Sequence, residues 1–395
     1  MTKDKAEIIL DKCVEYLLYA MIAFIPISIS AIEISFSLAL LAFLIKKVLK
    51  PDFGFVKNFT HLFLFLFFGF CALSLFNSEV YFTKSLRALF FKWLQYIFIF
   101  IIVEDTLNTS KRLRNAIFIL LGVSGLIGLS GIVQQFRGVD FLRQRVLVDG
   151  GQITATFQNQ NSFAAYLVPV LLLVTSLAIF PQLKKQYKWI LFFLGSLLGI
   201  CLILTFSRGA WLGFFVGLVL MLLIFRNKIK RTFLPVCIFI IILMSIPALR
   251  QRVISVFQPG GDAMRFSIWK NAWAMIVDNP FLGKGLGTFM DHFPKCTNLE
   301  SPYYAHNFFL QIWAEAGIFA LLSFLLFVGS ILHEGTKVFK KSSPQGLSMG
   351  LLLGLLCAIF GFLVHSFFDT NLYSLQLAVL FWFILGLAVS IQRIK

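Results

Sequence analysis

Three short stretches gather the residue types that proton transfer and anion binding need. In "SPYYAHNFFLQIWAEAG", His306 stands at the mouth of a long apolar run, and Asn307, Gln311 and Glu315 follow at i, i+4 and i+8, one face of a helix. A neutral imidazole can take a proton from an attacking hydroxyl, so His306 is a candidate general base and the stripe beside it a candidate substrate-binding face. The alternative is an interfacial histidine that is merely hydrogen-bonded. In "LTFSRGAWLG", Arg208 occupies a very short turn before an apolar helix, whose unpaired backbone N–H groups and dipole already favour an anion. An arginine near lipid costs roughly 2.5–3.5 kcal/mol on insertion scales, so it needs a partner or a purpose unless it snorkels to water. In "DAMRFSIWKNAWAMIVDNPFLGKGLGTF", Arg265, Trp269 and Trp273 recur at i, i+4 and i+8 on what reads as an interfacial amphipathic helix. Arg265 at its start could grip a phosphate as a planar fork, with Lys270 as a second cation; the plainer reading leaves both in water.

Other polar residues carry weaker signals. "TATFQNQNSFAAYL" offers Asn159 and Asn161 just before a span, and Asn161 could either cap that helix or bind a sugar hydroxyl. The glycines of "GKGLGTF" follow no strand and precede no Lys-Ser/Thr pair, so they predict a turn rather than a phosphate loop. His61 and His333 fall on one side of the bundle, His292 on the other, and His365 stands four residues before Asp369 near the end of a span. The chain lacks an Asp-x-Asp pair, a His-x-x-x-His helix and a Gly-x-Ser-x-Gly elbow. No metal and no cofactor is therefore expected, and if a diphosphate leaves, arginines must stabilise its charge.

These residues have to be positioned by a membrane bundle. A hydrophobic fraction of 59% with 48 Phe exceeds what a soluble core can absorb, and the runs are long enough for helices that span roughly 30 Å. They lack the period-2 alternation of barrel strands, so the expectation is an all-α polytopic membrane protein. About twelve helices are predicted, near 15–32, 34–49, 59–76, 86–103, 115–135, 162–180, 188–206, 209–225, 232–249, 307–332, 347–367 and 372–390. The organisation is nine helices over 1–249, with an outer segment at 136–161, then an outer loop with short amphipathic helices over 250–306 and three helices over 307–395.

The formal net charge of +17 is spread among loops, which argues against nucleic acid as a partner. Every second loop is basic, for example Lys46, Lys47 and Lys50, or Lys184, Lys185 and Lys188, which places these loops and both termini in the cytoplasm. The first helix reads as uncleaved. Arg137, Arg143, Arg145, Arg208, Arg250, Arg252, Arg265, Lys270 and Lys284 then fall outside, where either a long loop was translocated regardless of charge or the outer face holds an anion. The six cysteines lack metal or redox spacing and read as packing residues. A transporter would place its ionisable groups near the midplane and often show internal repeats, and neither is seen.

The "SRGAWLG" turn, the R-x-x-x-W-x-x-x-W helix followed by "NPFLGKGLGTF", and "AHNFFLQIWAEAG" entering a late span resemble, in this order, the O-antigen ligase-like family of bacterial polysaccharide enzymes. The motifs lie within about 154–317. The resemblance implies an inner-membrane glycosyltransferase whose site faces the periplasm. Such an enzyme transfers a glycan from undecaprenyl diphosphate to a hydroxyl, with inversion and without metal. The acceptor would be lipid A–core in a ligase or another repeat unit in a polymerase. It also implies that His306 activates the acceptor and that Arg208 and Arg265 hold the diphosphate; Asn161, Asn307, Gln311, Glu315 and Lys270 remain substrate-binding candidates on their own spacing and position. Some ligases carry a second histidine two positions earlier, where this chain has Tyr304.

Overall fold

The computed structural model describes residues 3–52, 59–148, 150–180, 183–224, 241, 245–254, 263–292, 304–341 and 347–394. It is 81% helical, with no strand among the described residues, so the all-α class holds. We number the helices α1 (Lys3–Phe24), α2 (Ile29–Leu49), α3 (Phe59–Leu73), α4 (Glu79–Thr106), α5 (Ser110–Arg137), α6 (Gln160–Ile179) and α7 (Lys185–Leu204). There follow α8 (Arg208–Ile224), α9 (Pro247–Ile254), α10 (Ala263–Asp278), α11 (Phe308–Lys341), α12 (Leu347–Ser366) and α13 (Leu375–Arg393). Nine described helices are long and apolar enough to cross a membrane and α8 is a shorter apolar one; the expected span at 232–249 lies largely outside the described residues.

The first boundary differs from expectation. Hydropathy runs unbroken through 15–32, but the chain turns at Ile25–Ile27, around Pro26, and Ser28 caps α2 by accepting from Ala31 N. The helix α1 instead begins at Lys3, because its charged start has partners: Glu7 pairs with Lys50, Asp11 with Lys46 and Arg112, and Glu15 with Arg112. These pairs mark the basic end of the bundle. At the opposite end α3 gives way to two 3₁₀ turns, and α4 contains a π-helical turn at Leu89–Trp93.

Two packing devices position the site, which lies at that opposite end. Helix α8 places Gly209, Gly213 and Gly217 on the face that meets α6 and α12. A Cβ at Gly213 would stand 2.6 Å from Gly361 O, and one at Gly217 2.5 Å from Leu172 Cδ1. Small residues thus let α8 touch its neighbours at backbone distance, as membrane helices do where burial of apolar area gives no drive. The second device is a break in α11 at Gly317 (φ 83°), into which the loop 279–289 wedges. Lys284 N donates to Ala314 O, Gly285 N to Glu315 O and Ile318 N to Pro280 O, so the loop supplies the hydrogen bonds the broken helix lost. The "GKGLGTF" glycines therefore form a turn, as expected.

Candidate functional site

His306 lies one residue before Asn307, which caps α11 by accepting from Phe309 N at 2.9 Å and Leu310 N at 3.1 Å. Its backbone is left-handed (φ 46°), and so is that of Phe206 (φ 52°), two residues before Arg208. Each such non-glycine residue costs of order 1–3 kcal/mol and persists only where the surroundings enforce it, which is common at functional sites. Here the enforcing contacts are visible. Trp269 Nε1 donates to Ala305 O at 3.0 Å, and Ala305 N donates to Gln311 Oε1 at 3.0 Å.

The imidazole faces Asp369, with Nδ1 3.2 Å from Oδ1. Burial pushes the Asp369 carboxyl up, but the hydrogen bond and charge of His306, with Thr370 N and His365 adding, outweigh it and hold the group below the usual carboxylate range. Asp369 is thus a carboxylate, and the tautomer that donates Nδ1–H to it leaves Nε2 as the basic nitrogen. His306 and Asp369 line a cavity of about 550 Å³ together with Asn161, Tyr304, Tyr373 and the residues following Asp369.

A second, smaller cavity adjoins it. Arg208, Arg265, Ser207, Gln160, Asn161 and His365 line it, at the first turn of α8. Asn161 borders both cavities, and His365 and Asp369, four residues apart, border one each. Two guanidiniums beside a helix N-terminus bring together the charge and the N–H donors that anions bind. An imidazole held by a carboxylate stands in the next compartment.

The other expected residues divide. Asn161 lines the cavities while Asn159 caps α6, accepting from Ser162 N at 2.8 Å, so the capping alternative falls to its neighbour. The stripe expected to meet substrate faces protein instead. Asn307, Gln311 and Glu315 are all buried, border neither cavity, and spend their polar atoms on the chain. Gln311 Nε2 donates to Glu315 Oε1, and Glu315 accepts further from Gly287 N at 2.8 Å, Phe289 N at 3.2 Å and Tyr373 Oη at 2.7 Å. Glu315 therefore clasps the wedge loop, and the physical reason for the difference is that a buried carboxylate must be satisfied internally. Lys270 is exposed on α10 and lines neither cavity. Lys284 pairs with Asp278, and Arg145 Nε donates to Thr156 O. Asp369 was visible in the sequence only as the i+4 partner of His365; its contact with His306 spans 63 residues and had no local signal.

Residues 191–325, which hold Arg208, Arg265 and His306, match the family model described as O-Antigen ligase. That stretch belongs to the O-antigen ligase-like family. The O-antigen ligase-like family consists of glycosyltransferase-like enzymes that act in O-antigen processing. No curated protein matches the chain. The match leaves Asn161, His365 and Asp369 outside its limits, although they border the same two cavities.

Proposed function

We propose that the chain is an inverting glycosyltransferase of the bacterial inner membrane, facing the periplasm. It takes a glycan linked to undecaprenyl diphosphate and joins it to a hydroxyl of lipid A–core. The observation that carries this reading is the juxtaposition of Arg208 and Arg265 in one cavity with the His306–Asp369 pair in the next, joined at Asn161. The diphosphate sits between the two guanidiniums at the start of α8, and the sugar extends past Asn161 toward His306. His306 Nε2 takes the acceptor proton as the hydroxyl oxygen attacks the anomeric carbon from the face opposite the diphosphate. The bond to the diphosphate oxygen breaks, and its electron pair leaves with the lipid. Asp369 stabilises the imidazolium, and the arginines stabilise the charge that builds on the leaving group, where one such donor typically contributes about 10²–10³ in rate.

A repeat-unit polymerase would use the same donor half, with a second glycan as acceptor. The test offers purified protein an undecaprenyl-diphosphate glycan together with either lipid A–core or excess donor, and identifies the product by mass. Glycan on lipid A–core supports ligation, and a ladder of longer donor-linked chains supports the polymerase. No transfer to either acceptor contradicts both.

A further inference from the structure

A groove unrelated to the histidine and arginine cavities runs along the basic end of the bundle between α5, α7 and the ends of α6 and α12. It encloses about 660 Å³ and shares no residue with the site above. Its floor is apolar: Phe118, Leu121, Leu191 and Leu194 line it, and at Gly122 an added Cβ would meet nothing within 4 Å. The missing side chain is part of what makes the groove. It extends along α5 from Arg114 to Gly125, eleven helical steps or about 16 Å at ~1.5 Å per residue, which is about half of a hydrocarbon core of roughly 30 Å. One leaflet of acyl chain fits that length.

The charge at its mouth is of one sign. Arg114 and the amide of Asn115 close the basic end, Tyr187 stands across from them, and no carboxylate lines the groove. Lys184 and Lys185 are exposed immediately beside Leu183 and Tyr187 of its wall. An apolar channel one leaflet long with a cationic mouth matches a lipid whose headgroup is a phosphodiester with net negative charge. A neutral-headgroup lipid would use the channel but not the cations, and basic pockets between membrane helices are the usual solution for anionic headgroups.

We propose that this groove binds an anionic glycerophospholipid of the leaflet at the basic end, with an acyl chain along Phe118, Leu121 and Gly122 and the phosphate at Arg114.

The test is native mass spectrometry of the purified full chain in dodecyl maltoside, titrated with dioleoylphosphatidylglycerol or dioleoylphosphatidylcholine. The phosphatidylglycerol adduct should form at a dissociation constant at least fivefold below that of phosphatidylcholine. Arg114→Ala, an exposed position whose loss leaves the fold intact, should weaken the phosphatidylglycerol adduct about fivefold and leave phosphatidylcholine unchanged. Gly122→Phe should fill the channel and remove the adduct with both lipids. Equal binding of the two lipids by the wild type would overturn the proposal, as would a wild-type adduct on a monodisperse Gly122→Phe variant. So would tighter binding of undecaprenyl phosphate, or a dimer that Gly122→Phe abolishes, since either assigns the groove another occupant.

Discussion

Replacing Asp369 by Asn isolates the charge behind His306. The amide oxygen can still accept Nδ1–H, so ring orientation and packing survive while the negative charge goes. At the observed 3.2 Å and an effective dielectric of ~20, the attraction between carboxylate and imidazolium is about 5 kcal/mol. The His306 side chain is 31% exposed and Asp369 16%, so solvent screening removes about half of that, leaving roughly 2–3 kcal/mol. That stabilisation exists only once the histidine has taken the acceptor proton, so it acts on the transition state and not on bound donor. The expected result for Asp369→Asn is a kcat lower by about 30- to 150-fold with an almost unchanged KM. The assay is initial-rate transfer of an undecaprenyl-diphosphate glycan to lipid A–core in detergent, with thermal unfolding measured on the same preparation. A kcat within threefold of wild type would refute the assignment of Asp369 as the residue that supports the base.

Four further outcomes follow from the same geometry. Arg208→Lys and Arg265→Lys should each cost about 10²-fold in kcat/KM although charge is kept, because a point-charge ammonium cannot reproduce the planar fork; wild-type rates from either would remove that arginine from the diphosphate site. Gly317→Ala should destabilise by about 3 kcal/mol or more, read as a drop in melting temperature, since its φ is 83° and a Cβ would lie 2.0 Å from Phe281 O. Glu315→Ala should cost a similar amount by leaving Gly287 N, Phe289 N and Tyr373 Oη without their buried acceptor, and should lower activity only as far as the wedge loop loosens. For Asp369, the folded-state pKa is depressed, so the unfolded chain binds the proton first; its contribution to stability is complete above about pH 4 and is lost as pH falls through the lowered folded-state value. Melting temperatures of wild type and Asp369→Asn from pH 7 to pH 3 should therefore converge only below about pH 4.

What the sequence disclosed was what depends on local spacing. Long apolar runs announced the helical bundle, and the three motifs announced Arg208, Arg265 and His306, because an arginine or histidine at a lipid boundary is costly enough to stand out. Spacing along one helix does not say what the helix meets, however. Asn307, Gln311 and Glu315 share a face as expected, but Asn307 caps its own helix, Gln311 holds Ala305 N and Glu315, and Glu315 is clasped by the loop from Pro280 to Phe289, a contact that Gly283 and Gly317 permit. The tryptophan at Trp269 read as an interfacial anchor, and its indole in fact holds the backbone that carries His306. Asp369 was hidden for the same reason: one helical turn from His365, it looked like half of a local pair, and only the fold brings it to His306. The turn at Pro26 leaves no mark on hydropathy, which averages across a proline flanked by Ile25 and Ile27.

The role proposed for His306 is that of the base for glycosyl transfer. It is tested most directly by a single-turnover experiment with His306→Ala, saturating enzyme and labelled undecaprenyl-diphosphate glycan, with lipid A–core as acceptor. The variant should retain the donor with wild-type affinity, since both arginines remain, and form no transferred product. Product at the wild-type rate would contradict that role.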